Sequence, residues 1–135
     1  MRKRGAALAA GSLLLGLGLV PMPAATSAAA TLSCTATPTY SAAWNNGFMF
    51  QVLVTNTGTE AFNSWVVTFD MPPGDVVVEV WNGQETQSGH HVIVRGGGPG
   101  YSVAPGSSIL AFGGIGQGAP GGGFTNVTCT PGIVL

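Results

Sequence analysis

The sequence predicts an all-β protein, an antiparallel β-sandwich of the immunoglobulin-like or jelly-roll type with one disulfide joining its ends. After about residue 30, short alternating segments recur at the roughly 8–12-residue spacing of sandwich strands, with Gly, Pro and Asn between them. No window in that part of the chain shows a helical period of useful length. The only two cysteines stand near its two ends. These features indicate one two-layer β domain.

The first thirty residues have the features of a secretory signal peptide. Arg2-Lys3-Arg4 precedes an apolar run from Gly5 to Val20, and Ala28-Ala29-Ala30 offers the small-x-small pattern of a signal peptidase site. The apolar run is too short and too rich in Ala and Gly for a membrane span. We expect residues 1–30 to be removed, residues 31–135 to form a single domain, and the protein to be secreted into the extracellular medium.

The charge and size of this domain limit the partners and activities that we expect of it. Without the leader, Arg95 is the one Lys or Arg side chain and stands against five carboxylates. We therefore expect no nucleic-acid partner and no binding to anionic membranes. About one hundred residues suit one core and leave no room for a catalytic domain beside it. Such a low-charge surface suits neutral polar ligands, and we expect a monomer.

We expect Cys34 and Cys129 to be exported with the chain to a compartment in which disulfides persist. Pairing is the default expectation, and two free thiols are the alternative. Closing a loop of nearly the whole domain would contribute about 4 to 5 kcal/mol in the chain-entropy model.

The first predicted strands surround a hairpin. Ser33–Tyr40 alternates mildly, and Pro38 indicates an edge strand or the end of a strand, because it cannot donate a ladder hydrogen bond. Asn46-Gly47 predicts the turn, since both residues tolerate positive φ. Phe48–Thr55 then alternates strictly between two faces, and Ser64–Asp70 alternates again.

The next strand, Val76–Trp81, is predicted to point Val78 and Val80 to one face and Glu79 and Trp81 to the other. Asn82-Gly83 begins the turn that follows it.

The remaining strands are shorter and more glycine-rich. His91–Arg95 and Phe124–Cys129 are predicted strands, and the Gly113–Gly123 segment is rich enough in glycine to be mobile. The strand Ser107–Phe112 is predicted to place Ile109 and Ala111 opposite Leu110 and Phe112.

No residue pattern indicates catalysis. Asp70 and Asp75 flank the Pro72-Pro73-Gly74 turn and are most simply solvated turn residues, while Glu79 has no partner carboxylate nearby in sequence. The adjacent pair His90-His91 would point to opposite faces of a strand and cannot easily chelate one metal. We expect a protein that is not an enzyme and uses no metal or cofactor.

The three tryptophans are the candidate functional residues. Trp65 shares a strand face with Val67 and Phe69, so we expect it in the core. Trp44 just before the turn and Trp81 on a polar face are expected to be exposed, and ligand binding is favoured over scattered surface aromatics. Sugars suit such rings, because the C–H face of a pyranose is apolar and lies flat on an indole.

A series of short motifs carries a family resemblance. They are Cys34, Trp44-Asn-Asn-Gly-Phe48, Val54-Thr-Asn-Thr-Gly58, Trp65-Val-Val-Thr-Phe69, Trp81-Asn82, Thr86-Gln-Ser-Gly89, Val92-Ile-Val-Arg95 and Cys129-Thr130. In this order and spacing the chain resembles family 2 carbohydrate-binding modules, the small β-sandwich domains of actinobacterial cellulases, xylanases and chitinases.

The resemblance implies a disulfide between Cys34 and Cys129, and Trp44 and Trp81 as sugar-stacking residues. Cellulose-binding members usually have a third tryptophan, where this chain has Gly98-Pro-Gly-Tyr101-Ser102. Tyr101 is the candidate substitute for it.

The resemblance also implies polar contacts and a ligand shape. Gln51 and Glu79 fall beside the positions of the first and second tryptophans, where the family often has Asn and Gln that bond sugar hydroxyls. The xylan-binding branch tends to carry Arg at the position of Gly47. Gly47 leaves Trp44 free to lie flat, which favours the planar surface of cellulose or chitin.

The predicted function is non-catalytic adsorption to insoluble cellulose or chitin through exposed tryptophans. A xylan-binding module of the same family is one alternative, and a secreted structural or adhesive β-sandwich is another. A fragment of a longer glycoside hydrolase is a third.

Overall fold

The computed structural model describes residues 29–119 and 123–135, so residues 1–28 of the predicted signal peptide lie outside the described residues. The strands form two antiparallel four-stranded sheets, in the orders β1-β2-β7-β4 and β5-β6-β3-β8. Their bounds are Cys34–Trp44 (β1), Gly47–Asn56 (β2), Ser64–Asp70 (β3), Val76–Trp81 (β4), Gln84–Ser88 (β5), His91–Gly97 (β6), Ser108–Gln117 (β7) and Thr125–Gly132 (β8). The predicted all-β sandwich is confirmed. Within the described ranges, no helix has the length and hydropathy needed to cross a membrane.

The predicted disulfide is confirmed. Cys34 and Cys129 are bonded, with Cα atoms 5.6 Å apart, a separation within the usual range for a disulfide. Cys34 begins β1 and Cys129 lies in β8, and both strands are edges of their sheets. The bond therefore joins the two sheets of the sandwich at one margin.

The core lies between the sheets and follows the period of two residues expected of strands. Alternate residues of β2 are fully buried, and Trp65 of β3 is 2% exposed, as its pattern predicted. The buried apolar residues are Phe48, Phe50, Val52, Val54, Phe62, Trp65, Val67, Phe69, Met71, Val92, Val94, Val103, Ala111 and Phe112.

The predicted hairpin forms, but its glycine has a different role from the one expected. Trp44 pairs with Gly47, so the two-residue loop is Asn45-Asn46, and Asn46 supplies the positive φ of 66°. Gly47 is already in β2 and does not have a positive φ. The expectation that Gly47 is a turn glycine is therefore wrong.

Two β-bulges overturn the face assignments predicted for β4 and β7. In β4 the register shifts between Val77 and Glu79, so Val77 and Val80 pack on the core while Val78 points outward. In β7 the shift around Ala111 turns Phe112 inward, away from the face of Leu110. The extra residue of a bulge reverses the alternation that follows it, which period-two reasoning does not anticipate.

Two further segments differ from expectation. Residues 113–117, predicted to be mobile, form the second half of β7, which pairs with β2 on one side and β4 on the other. The edge strand Gln84–Ser88 was not predicted, because its five polar residues carry no apolar alternation.

Candidate binding surface

Trp44 packs against Gly47 on the outer face of the first sheet. It is the last residue of β1 and its side chain is 48% exposed. A Cβ atom added to Gly47 would collide with the indole Nε1 and Cε2 of Trp44. The ring thus occupies the space that any side chain at position 47 would need.

Trp81 repeats this arrangement on the other edge strand of the same sheet. It ends β4, pairs with Gly113 of β7, and its side chain is 37% exposed. A Cβ atom on Gly113 would lie 2.7 Å from the indole Nε1 and 2.8 Å from Cε2. Both exposed tryptophans therefore rest on a glycine of a neighbouring strand.

The sheet register fixes the separation of the two rings. Gly113 pairs with Gln51, which is four residues beyond Gly47 on β2. At about 3.3 Å per residue and about 4.8 Å between strands, the rings lie over points roughly 14 Å apart. Met49 and Ile115 pair with each other on the outer face between those points.

Exposed aliphatic side chains extend this surface. Val78 lines a groove with Trp44 and Ile115 and is 60% exposed, and Leu110 lines a groove with Trp81 and Met49 and is 61% exposed. We call the six side chains Trp44, Met49, Val78, Trp81, Leu110 and Ile115 the apolar strip.

The two predicted polar contacts flank the apolar strip. Gln51 is exposed and lies opposite Gly113, beside the Trp81 ring, so the place beside Trp44 that the resemblance implied for it is wrong. Glu79 is exposed and pairs with Ile115, so it shares the outer face with Trp81 as expected. An amide and a carboxylate at these points can accept hydrogen bonds from hydroxyl groups, and the amide can also donate one.

Tyr101 lies beyond the end of β4, in the connection between β6 and β7. Its side chain is half exposed, and its ring packs edge-to-face on Trp65 with centroids 5.9 Å apart. Its free side opens into a groove of about 380 Å³ lined also by Asn82, the residue after Trp81. Tyr101 is therefore adjacent to the Trp81 end of the apolar strip and is also part of the packing around Trp65.

The aliphatic members of the apolar strip were not predicted from the sequence. Met49 belonged to the same predicted face of β2 as Gln51 and Leu53, and this alternation was a usable signal. Val78 and Leu110 were hidden by the two bulges, since the expected phase placed Val78 with the inward Val80 and Leu110 with Phe112.

Two carboxyl groups have shifted pKa values, and both lie outside the apolar strip. Asp70, on the second sheet, accepts a hydrogen bond from Asn126 Nδ2 at 2.8 Å and lies 2.7 Å from His91 Nδ1, and these contacts lower the pKa of its carboxyl group. Asp75 precedes β4, and burial raises the pKa of its carboxyl group. Neither was predicted to be more than a solvated turn residue.

The described residues offer no metal-binding cluster, since no three of their His, Cys, Asp or Glu side chains converge as ligands for a metal ion. His91 is engaged with Asp70 on the outer face of the second sheet. The chemistry that the apolar strip offers is flat apolar contact with polar groups at its side.

Comparison with known proteins agrees with this geometry. Residues 34–130 match the model of the cellulose-binding domain family. The chain is 38% identical to chitinase C of Streptomyces lividans over 97% of its own length and 22% of that enzyme. It is 35% identical to a cellulose/chitin binding protein of Mycobacterium tuberculosis, over 90% of this chain and 77% of that protein. The chain thus spans about a fifth of the chitinase and about three quarters of the mycobacterial protein.

Solved structures show the same fold. The chitin-binding domain of Chi18aC from Streptomyces coelicolor superposes with a TM-score of 0.60 at 34% identity, covering 76% of this chain and 94% of that domain. The cellulose-binding family 2 domain of ScLPMO10C superposes with a TM-score of 0.54 at 29% identity, covering 75% of this chain and 98% of that domain. The chain belongs to the cellulose-binding domain family, family 2 of the carbohydrate-binding modules.

Proposed function

We propose that this protein is a secreted, non-catalytic module that adsorbs to insoluble cellulose or chitin through Trp44 and Trp81. The observation that carries the proposal is the pair of exposed indole rings that pack on glycines of one sheet face. Family membership and the binding proteins among its relatives point to the same ligand class. No bond is broken in this function.

The apolar strip recognises the faces of sugar rings. Each indole covers the C–H face of a pyranose and buries part of its own apolar area, which would contribute about 1 to 3 kcal/mol per ring. Gln51 and Glu79 bond the hydroxyl groups at the edges of the same chain, which sets its orientation on the strip.

The packing of Trp44 on Gly47 favours a planar ligand over a helical one. An Arg at position 47, as in the xylan-binding branch, would need the space that the Trp44 indole now fills, so the ring would have to turn away from the sheet. Gly47 leaves the ring against the outer face, which suits a planar polysaccharide surface better than twisted xylan.

Tyr101 is the third, weaker platform in this proposal. Its exposed side continues from the Trp81 end of the apolar strip by way of Asn82. A phenol ring buries less apolar area than an indole, so we expect adsorption about tenfold weaker than with a third tryptophan.

Adsorption to solid polysaccharide tests the proposal. Trp44→Ala and Trp81→Ala should each weaken adsorption to microcrystalline cellulose or chitin by about fivefold or more, and the double variant should abolish it. Bound protein is measured by depletion from the supernatant, with xylan as a third polymer.

The matched control is Tyr40→Phe, which keeps an aromatic ring that packs against Phe48 and Phe124 in the sandwich and leaves the strip untouched. Equal recovery of the wild type and the double tryptophan variant would contradict the proposed function. Stronger adsorption to xylan than to the other polymers would contradict the choice of a planar ligand.

A further inference from the structure

A groove beside Trp81 combines apolar and amide side chains, and the stacking of a sugar ring on the indole does not by itself require this combination. It encloses about 250 Å³ next to the indole ring, several times the roughly 30 Å³ that a water molecule occupies in the liquid. Its lining residues are Ser41, Met49, Phe50, Gln51, Trp81, Asn82, Leu110 and Phe112.

The groove has apolar sides. Met49 and the exposed Leu110 form these sides next to Trp81, and Phe50 and Phe112 also border the groove but have their side chains buried in the core. Leu110 stands outward on a central strand of the sheet, with the β7 bulge directly after it. An exposed leucine beside a tryptophan leaves apolar surface in water unless a ligand covers it.

The rim of the groove is polar and uncharged. Gln51 and Asn82 each carry an amide with a donor and an acceptor, and Ser41, the extra residue of the β1 bulge, carries a hydroxyl. Such a rim can satisfy one N–H group and one carbonyl group at the same time. An apolar pocket with an amide rim matches a small amide that ends in a methyl group.

We propose that this groove is a subsite for the N-acetyl group of an N-acetylglucosamine unit whose ring is stacked on Trp81. The acetyl methyl group packs against Leu110 and Met49, and the acetamide carbonyl and N–H bond the amides of Gln51 and Asn82. This inference rests on the proposed function and selects chitin over cellulose, because a glucose unit has only a hydroxyl group at the same carbon.

The test combines a variant with a change in the ligand. Leu110→Thr keeps a strand-forming residue on the exposed face but removes the apolar wall, so the fold should be retained. Val66→Thr is the matched control, a similar exchange on the outer face of the second sheet. Binding is measured by titration with chitohexaose and with cellohexaose, and by adsorption to chitin and to cellulose.

Leu110→Thr should weaken binding to chitohexaose and chitin by about three- to tenfold more than binding to cellohexaose and cellulose, because only the acetylated sugars place a methyl group against Leu110. Val66→Thr should change neither. Equal losses for both sugars, or no loss for chitin, would overturn the subsite while the proposed function stands. A wild type that binds neither polymer would overturn both.

Discussion

Gly47 and Gly113 lie beneath the two exposed indole rings, and the absence of a side chain at each position is what lets the ring lie against the sheet. Neither glycine has a positive φ. Their role is therefore steric and concerns the neighbouring strand rather than the local backbone.

Substitution of Gly113 should weaken ligand binding with little change in the stability of the fold. In Gly113→Ala the three atoms nearest to the new Cβ would all belong to the Trp81 indole, at 2.7 to 2.8 Å, so the exposed ring must move off the sheet. We expect adsorption to weaken by about fivefold or more, with the free energy of unfolding changed by less than about 1 kcal/mol. Adsorption isotherms and urea denaturation measure the two effects.

Gly114→Ala is the matched control. Its Cβ would lie 2.6 Å from Phe50 Cζ in the core and 2.6 Å from the backbone oxygen of Glu79, so it should destabilise by about 1 to 3 kcal/mol. If Gly113→Ala adsorbs as the wild type does, the Trp81 ring is not held as a platform by the glycine beneath it.

At this scale the sequence predicted which tryptophan is buried but not what the glycines do. Trp65 alternates with Val67 and Phe69, a pattern that survives in the structure because the register shift beside β3 places its extra residue in β8. A glycine under a ring looks the same in sequence as a glycine in a turn. Only the strand register, which places Trp81 across from Gly113, distinguishes the two.

Bulges decide which side chains the strands present to a ligand. Each of β1, β4 and β7 has one register shift within the first sheet, and those in β4 and β7 direct Val78 and Leu110 outward. The strand bounds of β3 and β4 could be read from alternation and flanking turn residues. The outward-facing residues of β4 and β7 could not be predicted, because the extra residue of a bulge is not visible in the local sequence pattern.

In the second sheet, Asp70 of β3 joins its two neighbouring strands through Asn126 of β8 and His91 of β6. Because these contacts lower the pKa of Asp70, the ionised carboxylate stabilises the fold at pH values above its unfolded-state pKa of about 3.9. That stabilisation should be lost as the pH falls through the lowered pKa. Thermal unfolding of the wild type and Asp70→Asn between about pH 2 and 6 should show a shallower acid loss in the variant.

The pKa of Asp75 is shifted in the opposite direction to that of Asp70, so an Asp75 variant provides the comparison. Burial raises its pKa, so the folded state binds a proton more readily than the unfolded state, and stability gains as the pH falls through the raised pKa. Asp75→Asn should remove that gain and leave the acid loss below about pH 4 in place. An acid limb of equal steepness in wild type and Asp70→Asn would contradict the role assigned to Asp70.

At the scale of the whole molecule, the disulfide and the apolar strip serve separate purposes. The bond between Cys34 and Cys129 closes a sequence separation of 95 residues and links edge strands of the two sheets. The side chains of the strip lie on the outer face of the first sheet, and none of them belongs to the disulfide. Stability and ligand recognition should therefore respond independently to mutation.

Removing the disulfide should lower stability without changing the binding surface. The variant Cys34→Ala/Cys129→Ala should lose about 4 to 5 kcal/mol of unfolding free energy by the chain-entropy model, measured as a fall in the urea midpoint. At a temperature where it remains folded, its adsorption isotherm should match that of the wild type. An unchanged midpoint, or a folded variant that no longer adsorbs, would contradict this separation.

The two-layer architecture and the pairing of the cysteines could be predicted from the sequence, because both follow from global features: strand spacing, turn residues and the number of cysteines. The second sheet's edge strand β5 could not be predicted, since its polar residues show no apolar alternation. The surface assembled from four strands is likewise a product of register, which no single segment encodes.

The glycines beneath Trp44 and Trp81 also bear on the thermodynamics of adsorption. The rings rest on backbone that is already ordered in paired strands, so little side-chain freedom remains to be lost when a sugar covers them. Preorganisation of this kind lowers the entropic cost of association, typically about 0.5 to 1.5 kcal/mol for each side chain immobilised. The proposed binding surface is thus already ordered in the free protein.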